Sequence, residues 1–127
     1  MRALLVEDNR VNLMVELALL RTAGCDVDVA EDGEAAIRQW QASTYDIILM
    51  DNHMPQMDGR EATRRIRALE VRRGSRTPIV GVSADAQDVG RAACLAAGMD
   101  DYITKPVAIA EIRNAVRKWV PRSRVAS

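Results

Sequence analysis

The 127-residue sequence predicts a single α/β domain, with a parallel sheet covered by helices on both faces. Short apolar runs alternate five times with segments whose apolar residues have helical spacing, and turn residues separate them. Strands joined by helices pair in parallel through right-handed crossovers, which gives a doubly wound, three-layer sheet. With 48% hydrophobic and 28% charged residues, the chain is long enough to bury a core of its own.

The five strands are predicted from short runs of aliphatic and β-branched residues that end at turn residues. They are RALLV at 2–6, CDVDVA at 25–30, DIILM at 46–50, PIVGV at 78–82 and DDYIT at 100–104. The second run alternates with period two, as in an edge strand, whereas the third is apolar almost throughout, as in a strand buried on both faces.

The five helices are predicted from apolar residues at helical spacing. The first begins near Val11 and is capped by Gly24, and the others cover 32–43, 59–72, 86–98 and 108–120. One domain is therefore predicted over residues 1–120, followed by a flexible tail at 121–127.

Composition argues against several classes of function. The 18 basic and 18 acidic residues balance, so neither direct nucleic-acid binding nor attraction to an anionic membrane is expected. Seven arginines within 59–76 are predicted to form a solvated helix face. No apolar stretch reaches the ~20 residues of a membrane span, and we expect a cytoplasmic chain. Cys25 and Cys94 lack C-x-x-C spacing and are expected to be buried thiols.

Polar side chains fall at the carboxyl ends of four predicted strands. Glu7 and Asp8 follow the first strand, Asp51 the third, Ser83 the fourth and Lys105 the fifth. Ligands bind at these ends in open parallel sheets, so the five side chains are expected to meet in one crevice. Clustered carboxylates repel unless a hard cation such as Mg²⁺ joins them, and a cation beside a lysine suits a phosphoryl group. Asp51, at the centre, is the expected nucleophile.

Four motifs stand in order along the chain, namely VEDN, DIILMDNHMPQMDG, TPIVGVSAD and AGMDDYITKP. On these motifs the chain resembles the receiver domains of bacterial two-component response regulators over residues 3–120, and VEDNRVN most resembles the receivers of hybrid sensor histidine kinases. The resemblance implies a flavodoxin-like fold with strand order 2-1-3-4-5. It also implies that Asp51 accepts a phosphoryl group from a histidine kinase or a histidine phosphotransfer domain.

The resemblance further implies how a metal ion is bound. Asp8, Asp51 and the backbone carbonyl of His53 would hold Mg²⁺, with Glu7 helping mainly through water. Mn²⁺ is the alternative ion for the same oxygen ligands. The chain itself is expected not to be an enzyme, although it would assist its own phosphorylation and dephosphorylation.

The same resemblance assigns a switch. Lys105 would pair with one phosphoryl oxygen and Ser83 would donate its hydroxyl to another. Because the added charge draws Ser83 inward, the ring of Tyr102 can fill the vacated space. Half-buried packing is the alternative role for Tyr102. His53 and Asp85 occupy the positions that, in similar proteins, set how fast water removes the phosphoryl group.

The switch is expected to change the surface formed by the fourth helix, the fifth strand and the fifth helix, where an output partner would bind. The peptide bond between Lys105 and Pro106 is expected to be cis on the resemblance. The switch would thus convert the local charge of a phosphoryl group on Asp51 into a new binding surface.

Two other functions stay open at this point. A degenerate receiver would serve only as a docking module, but this predicts loss of Asp51, Asp8 or Lys105, and all three are present. A metal-dependent phosphohydrolase of the haloacid dehalogenase type also uses a strand-end aspartate. Its D-x-D signature fails because Asn52 and His53 follow Asp51. A flavodoxin-like cofactor binder is disfavoured because the loop EDNRVN is acidic rather than rich in glycine.

Overall fold

Residues 1–84 and 88–121 are described by the computed structural model, without the side chains of 88 and 89. Strands and helices alternate along the chain, as the sequence predicts. The strands are β1 (Arg2–Val6), β2 (Asp26–Ala30), β3 (Ile47–Asp51), β4 (Ile79–Ser83) and β5 (Asp101–Thr104). The helices are α1 (Arg10–Thr22), α2 (Gly33–Ala42), α3 (Gly59–Arg73), α4 (Asp88–Ala96) and α5 (Ile109–Trp119).

The five strands form one parallel sheet in the order β2-β1-β3-β4-β5. This order confirms the predicted fold and places the strand with period-two alternation at an edge. In register, Val6 lies beside Met50, and Asp51 lies beside Val82. The carboxyl ends of β1, β3, β4 and β5 therefore meet at one edge of the sheet.

Two hydrophobic cores lie on opposite faces of the sheet, because successive side chains of a strand point to opposite faces. One core joins the sheet to α1 and α5, and it includes Leu5, Leu20, Leu49, Ile112 and Val116. The other joins the sheet to α2, α3 and α4, and it includes Leu4, Trp40, Met50, Ile66 and Cys94. All five residues of β3 are buried, as predicted for a strand covered on both faces.

Side-chain caps place the helices next to the strand ends. Asn9, Asp32 and Asp58 each accept a hydrogen bond from a backbone N–H in the first turn of α1, α2 and α3. Gly24 follows the last turn of α1 with φ +93°, a left-handed conformation that suits glycine and ends the helix as predicted. The α1 helix therefore starts immediately after the acidic residues that follow β1.

Some boundaries differ from the prediction or lie outside the described residues. The α4 helix ends at residue 96 rather than 98, because Gly98 has φ +111° and cannot continue the helix. The predicted first residues of α4, Asp85 and the predicted tail beyond 121 lie outside the described residues. Both cysteines are free and buried, as expected. Among the described helices, none is long and apolar enough to cross a membrane.

One arginine of α3 departs from the predicted solvated face. Arg64 and Arg65 are exposed, but the side chain of Arg67 is only 13% exposed. Its guanidinium contacts Glu70 at 2.7 Å and Asp100 at 2.8 Å. Arg67 thus ties α3 to the segment before β5, which periodicity alone does not reveal because Asp100 is distant in sequence.

Candidate phosphoacceptor site

The predicted polar residues do meet at the carboxyl edge of the sheet. Carboxylate oxygens of Glu7, Asp8 and Asp51 lie within 4.8 Å of one another. Lys105 Nζ lies 3.2 Å from Glu7 Oε1 and 3.3 Å from Asp51 Oδ1, so one ammonium group bridges two buried carboxylates. Ser83 ends the neighbouring strand β4 and is completely buried. The structure therefore brings together all five residues that the strand ends predicted.

The lysine and the acidic residues change each other's proton affinity. Burial lowers the pKa of Lys105, but the Asp51 and Glu7 carboxylates outweigh burial and leave the pKa raised. Burial raises the pKa of Glu7 to about 8, and the adjacent Asp51 and Glu16 add to the rise while Lys105 opposes it. The single ammonium group of Lys105 therefore does not balance the carboxylates around it.

The donor set fits a hard divalent cation. Glu7 is completely buried, and within the part of the chain that the structure describes its Oε2 atom has no hydrogen-bond partner. A buried carboxylate oxygen without a partner is costly unless a cation or water satisfies it. Asp8 is exposed, which leaves one side of the cluster open to solvent. An all-oxygen, partly open set of this kind suits Mg²⁺, which keeps several of its waters.

His53 lies at the rim of this site and contacts two of its members. Its backbone N–H donates to Asp51 Oδ1 at 3.2 Å, and its Nε2 atom lies 3.3 Å from Ser83 Oγ. The residue itself is exposed. The imidazole therefore lies within hydrogen-bond distance of the Ser83 hydroxyl, a contact that the sequence did not predict.

Gly59 sets the distance between α3 and the backbone of Asp51. A Cβ atom at residue 59 would lie 2.3 Å from the carbonyl oxygen of Asp51, closer than any real contact. The backbone N–H of Gly59 instead donates to the carbonyl of Asn52 at 3.2 Å. The glycine of the MDG motif is thus required by close backbone approach, in addition to its place in a loop.

The remaining predicted residues have the following positions. Tyr102 lies on β5 beside Gly81 and is 9% exposed, packed in the core that includes Met50 and Met99. The peptide bond between Lys105 and Pro106 is cis, as the resemblance implied. Asp85 lies outside the described residues. The structure thus places Tyr102 next to the strand that ends at Ser83.

Glu16 is an acidic neighbour of the site that the sequence reasoning missed. It lies on α1, is 3% exposed, and burial raises its pKa to about 7. The charge of Lys105 lowers this pKa and that of Asp51 raises it, so Glu16 is within electrostatic reach of both. Glu16 lies three residues after Leu13 and four before Leu20, on the helix face that packs inward. That spacing was the available signal.

Comparison with known proteins agrees with this geometry. The family model described as the response regulator receiver domain matches residues 3–117. The chain belongs to this receiver-domain family. It is a family of signalling domains rather than of enzymes, and the match confirms the resemblance inferred from the four motifs.

Relatives of this receiver include sensor proteins and histidine kinases. The sensor protein GacS of Pseudomonas syringae pv. syringae is 43% identical over 93% of this chain, which covers 13% of that protein. The chain spans 13% to 15% of the length of the first histidine kinases that it matches.

Solved receiver structures share the fold over nearly the whole chain. The receiver domain of the Pseudomonas aeruginosa sensor histidine kinase PA1611, with a magnesium ion in its active-site cleft, is 45% identical with a TM-score of 0.84, covering 93% of this chain and 95% of that one. The receiver domain of Saccharomyces cerevisiae Ssk1, solved with the histidine phosphotransfer protein Ypd1, is 27% identical with a TM-score of 0.88, covering 94% and 88%.

Proposed function

We propose that Asp51 accepts a phosphoryl group from a phosphohistidine, supplied by a histidine kinase or a histidine phosphotransfer domain, in a two-component phosphorelay. A carboxylate oxygen of Asp51 attacks phosphorus, the phosphorus–nitrogen bond breaks, and the electron pair stays on the imidazole of the donor. The observation that carries this proposal is the pairing of one ammonium, Lys105, with both Asp51 and Glu7 beside a third carboxylate.

The acidic residues would hold Mg²⁺ at this site. We assign Asp8, Asp51 and the backbone carbonyl of His53 as its ligands, with Glu7 acting through water, and Mn²⁺ would suit the same oxygens. The bound ion would neutralise charge on the phosphoryl oxygens. The unpartnered Glu7 Oε2 atom and the open side at Asp8 support this assignment.

The switch proposal uses residues on β4 and β5. Lys105 would pair with one phosphoryl oxygen, Ser83 would donate to another, and Tyr102 would respond to the movement of Ser83. Tyr102 lies one strand away from Ser83, which supports this coupling. Trp119 of α5 donates to Asp101 of β5 at 2.9 Å, so a shift in β5 would reach α5. The output surface would then comprise α4, β5 and α5.

Residues 1–120 would act as the receiver unit of a hybrid-kinase phosphorelay in the cytoplasm. His53 and Asp85 would set the lifetime of the phosphoryl group, because they stand two residues after Asp51 and two residues after Ser83 in the sequence. The relatives that are sensor histidine kinases support this setting. Attack by water on the aspartyl phosphate would return the chain to its starting state.

The phosphodonor would dock on α1. Val11, Met14 and Val15 are 71%, 70% and 52% exposed and share one helix face at i, i+3 and i+4 spacing. This α1 apolar face begins three residues after Asp8, so a partner seated on it would bring its phosphohistidine to the site. Ssk1, a structural relative, has been solved with a histidine phosphotransfer protein, which supports this type of partner.

The decisive experiment is intact-mass spectrometry after incubation with acetyl phosphate, with and without Mg²⁺. We expect one added phosphoryl group on the native chain, only when Mg²⁺ is present, and none on Asp51→Asn. The matched control is Asp26→Asn, which changes an exposed aspartate at the start of β2 and should be phosphorylated like the native chain. An adduct that persists in Asp51→Asn, or no adduct on the native chain, would contradict the proposal.

A further inference from the structure

His53 connects the phosphoacceptor to the hydroxyl of Ser83. Its backbone N–H donates to Asp51 Oδ1 at 3.2 Å while its ring Nε2 lies 3.3 Å from Ser83 Oγ. Ser83 is completely buried and His53 is exposed, so the imidazole lies on the solvent side of the hydroxyl. His53 therefore contacts both the side chain of the phosphoacceptor and a buried hydroxyl.

The hydrogen bond between His53 and Ser83 competes with binding of a phosphoryl group. A serine hydroxyl has one hydrogen to donate, and phosphoryl oxygens only accept. If the imidazole accepts that hydrogen, it must be released before Ser83 can donate to the phosphoryl group. If the imidazole is the donor, movement of Ser83 Oγ toward Asp51 still breaks the contact. Either tautomer therefore favours the position in which Ser83 Oγ contacts His53 Nε2.

We propose that His53 is a positioning residue that holds the Ser83 hydroxyl in contact with its imidazole, so that a phosphoryl group on Asp51 must displace the imidazole to recruit Ser83. This inference rests on the proposed function. It goes beyond the expected effect of His53 on phosphoryl lifetime, because it acts before hydrolysis, on the balance between the two positions of Ser83. Removal of the imidazole should therefore make the receiver easier to switch.

The first test is a titration with beryllium fluoride and Mg²⁺ at one fixed pH, followed through backbone amide spectra. We expect His53→Ala to bind the phosphoryl mimic about five-fold more tightly than the native chain, since one hydrogen bond that opposes binding is lost. His53→Gln should behave like the native chain, because the glutamine amide reaches about as far as Nε2.

A double-mutant cycle separates this role from a direct contact with the ligand. In a Ser83→Ala background, His53→Ala should leave the affinity for beryllium fluoride unchanged. A gain of the same size in both backgrounds would mean that His53 acts on the phosphoryl mimic itself, and would overturn the proposal. Weaker binding by His53→Ala in the native background would overturn it as well.

A second measurement needs no ligand and keeps the inference separate from the proposed function. The ¹⁵N chemical shift of the His53 Nε2 atom should move in Ser83→Ala and stay unchanged in Ser75→Ala, an exposed serine at the opposite edge of the sheet. An unchanged shift in Ser83→Ala would refute the hydrogen bond. A native chain that binds no beryllium fluoride but shows the shift would contradict the proposed function and leave the His53 contact established.

Discussion

At the scale of single residues, Glu7 and Glu16 are acids whose burial disfavours the ionised form. Burial raises the pKa of Glu7 to about 8 and that of Glu16 to about 7. The two groups differ in position, because Glu7 belongs to the candidate metal cluster and Glu16 lies behind it on α1. Their protonation should therefore affect two different properties, metal binding for Glu7 and stability for Glu16.

Mg²⁺ binding should release protons and strengthen as pH rises. Because the pKa of Glu7 is raised to about 8, its carboxyl group carries a proton at neutral pH, and a cation bound nearby favours the loss of that proton. We expect affinity for Mg²⁺ to increase between about pH 6 and about pH 8.5, measured by calorimetry in buffers of different ionisation enthalpy. Glu7→Gln should bind more weakly and lose most of this dependence, whereas equal native affinities across the range would contradict the assignment.

Glu16→Gln should stabilise the receiver at alkaline pH. The raised pKa means that the folded state binds the proton more tightly than the unfolded state, so ionising Glu16 destabilises the fold as pH rises from about 4.5 to about 7. We expect a gain of up to about 3 kcal/mol at about pH 8 and little gain at about pH 4. Urea unfolding with EDTA measures this, and Glu31→Gln, an exposed control, should change stability little at either pH.

At the scale of elements, the contact between α3 and β3 determines where the phosphoacceptor lies. Gly59 is the first residue of α3, and its Cα faces the carbonyl oxygen of Asp51. Farther along the same helix, Arg67 holds the segment before β5 through Asp100. The helix is thus held at its first residue by close backbone approach and past its middle by a largely buried ion pair.

Gly59→Ala should impair the site more than it impairs the fold. The new Cβ would lie 2.3 Å from Asp51 O, so α3 or the end of β3 must move. We expect a stability loss of about 1–3 kcal/mol and slower phosphorylation by acetyl phosphate. Gly74→Ala is the matched control, because φ is +68° there but a Cβ would meet no atom within 4 Å. It should cost about 1 kcal/mol and leave the phosphorylation rate unchanged.

At the scale of the whole molecule, the proposal assigns different partners to two different surfaces. The α1 apolar face begins three residues after Asp8, the exposed member of the acidic cluster. The surface formed by α4, β5 and α5 includes β5, the edge strand opposite β2. A receiver built this way can take its phosphoryl group on one surface and present the result on the other.

Met14→Glu should separate the two kinds of phosphodonor. A charge in the α1 apolar face should slow phosphotransfer from a histidine phosphotransfer domain by about ten-fold, because it disrupts a desolvated contact. Phosphorylation by acetyl phosphate, which needs no docking, should be unchanged. Val71→Glu is the control, because Val71 is 84% exposed on α3 far from Asp51. Equal slowing by both substitutions, or none by Met14→Glu, would contradict the docking face.

Much of the site could be predicted because its residues are tied to the ends of strands. The apolar run before Asp51 predicts a buried strand. The polar residue at the end of that strand must then lie at the carboxyl edge of the sheet. The same reasoning applies to Ser83 and Lys105. Glu16 could have been found from its spacing to Leu13 and Leu20, but an acid within an apolar helix face runs against the pattern that identifies the helix.

The sequence by itself determined the alternation of strands and helices, the acidic and basic residues of the site, and, through its motifs, the family. Only the tertiary structure decided the contact between His53 and Ser83 and the burial of Glu16. It also decided the close approach of Gly59 to Asp51, whose carbonyl oxygen would lie 2.3 Å from a Cβ atom at residue 59. The physical reason is the separation along the chain over which each effect acts. Periodicity and turn residues reflect local backbone preferences, whereas hydrogen bonds between residues thirty positions apart and desolvation depend on how distant elements pack.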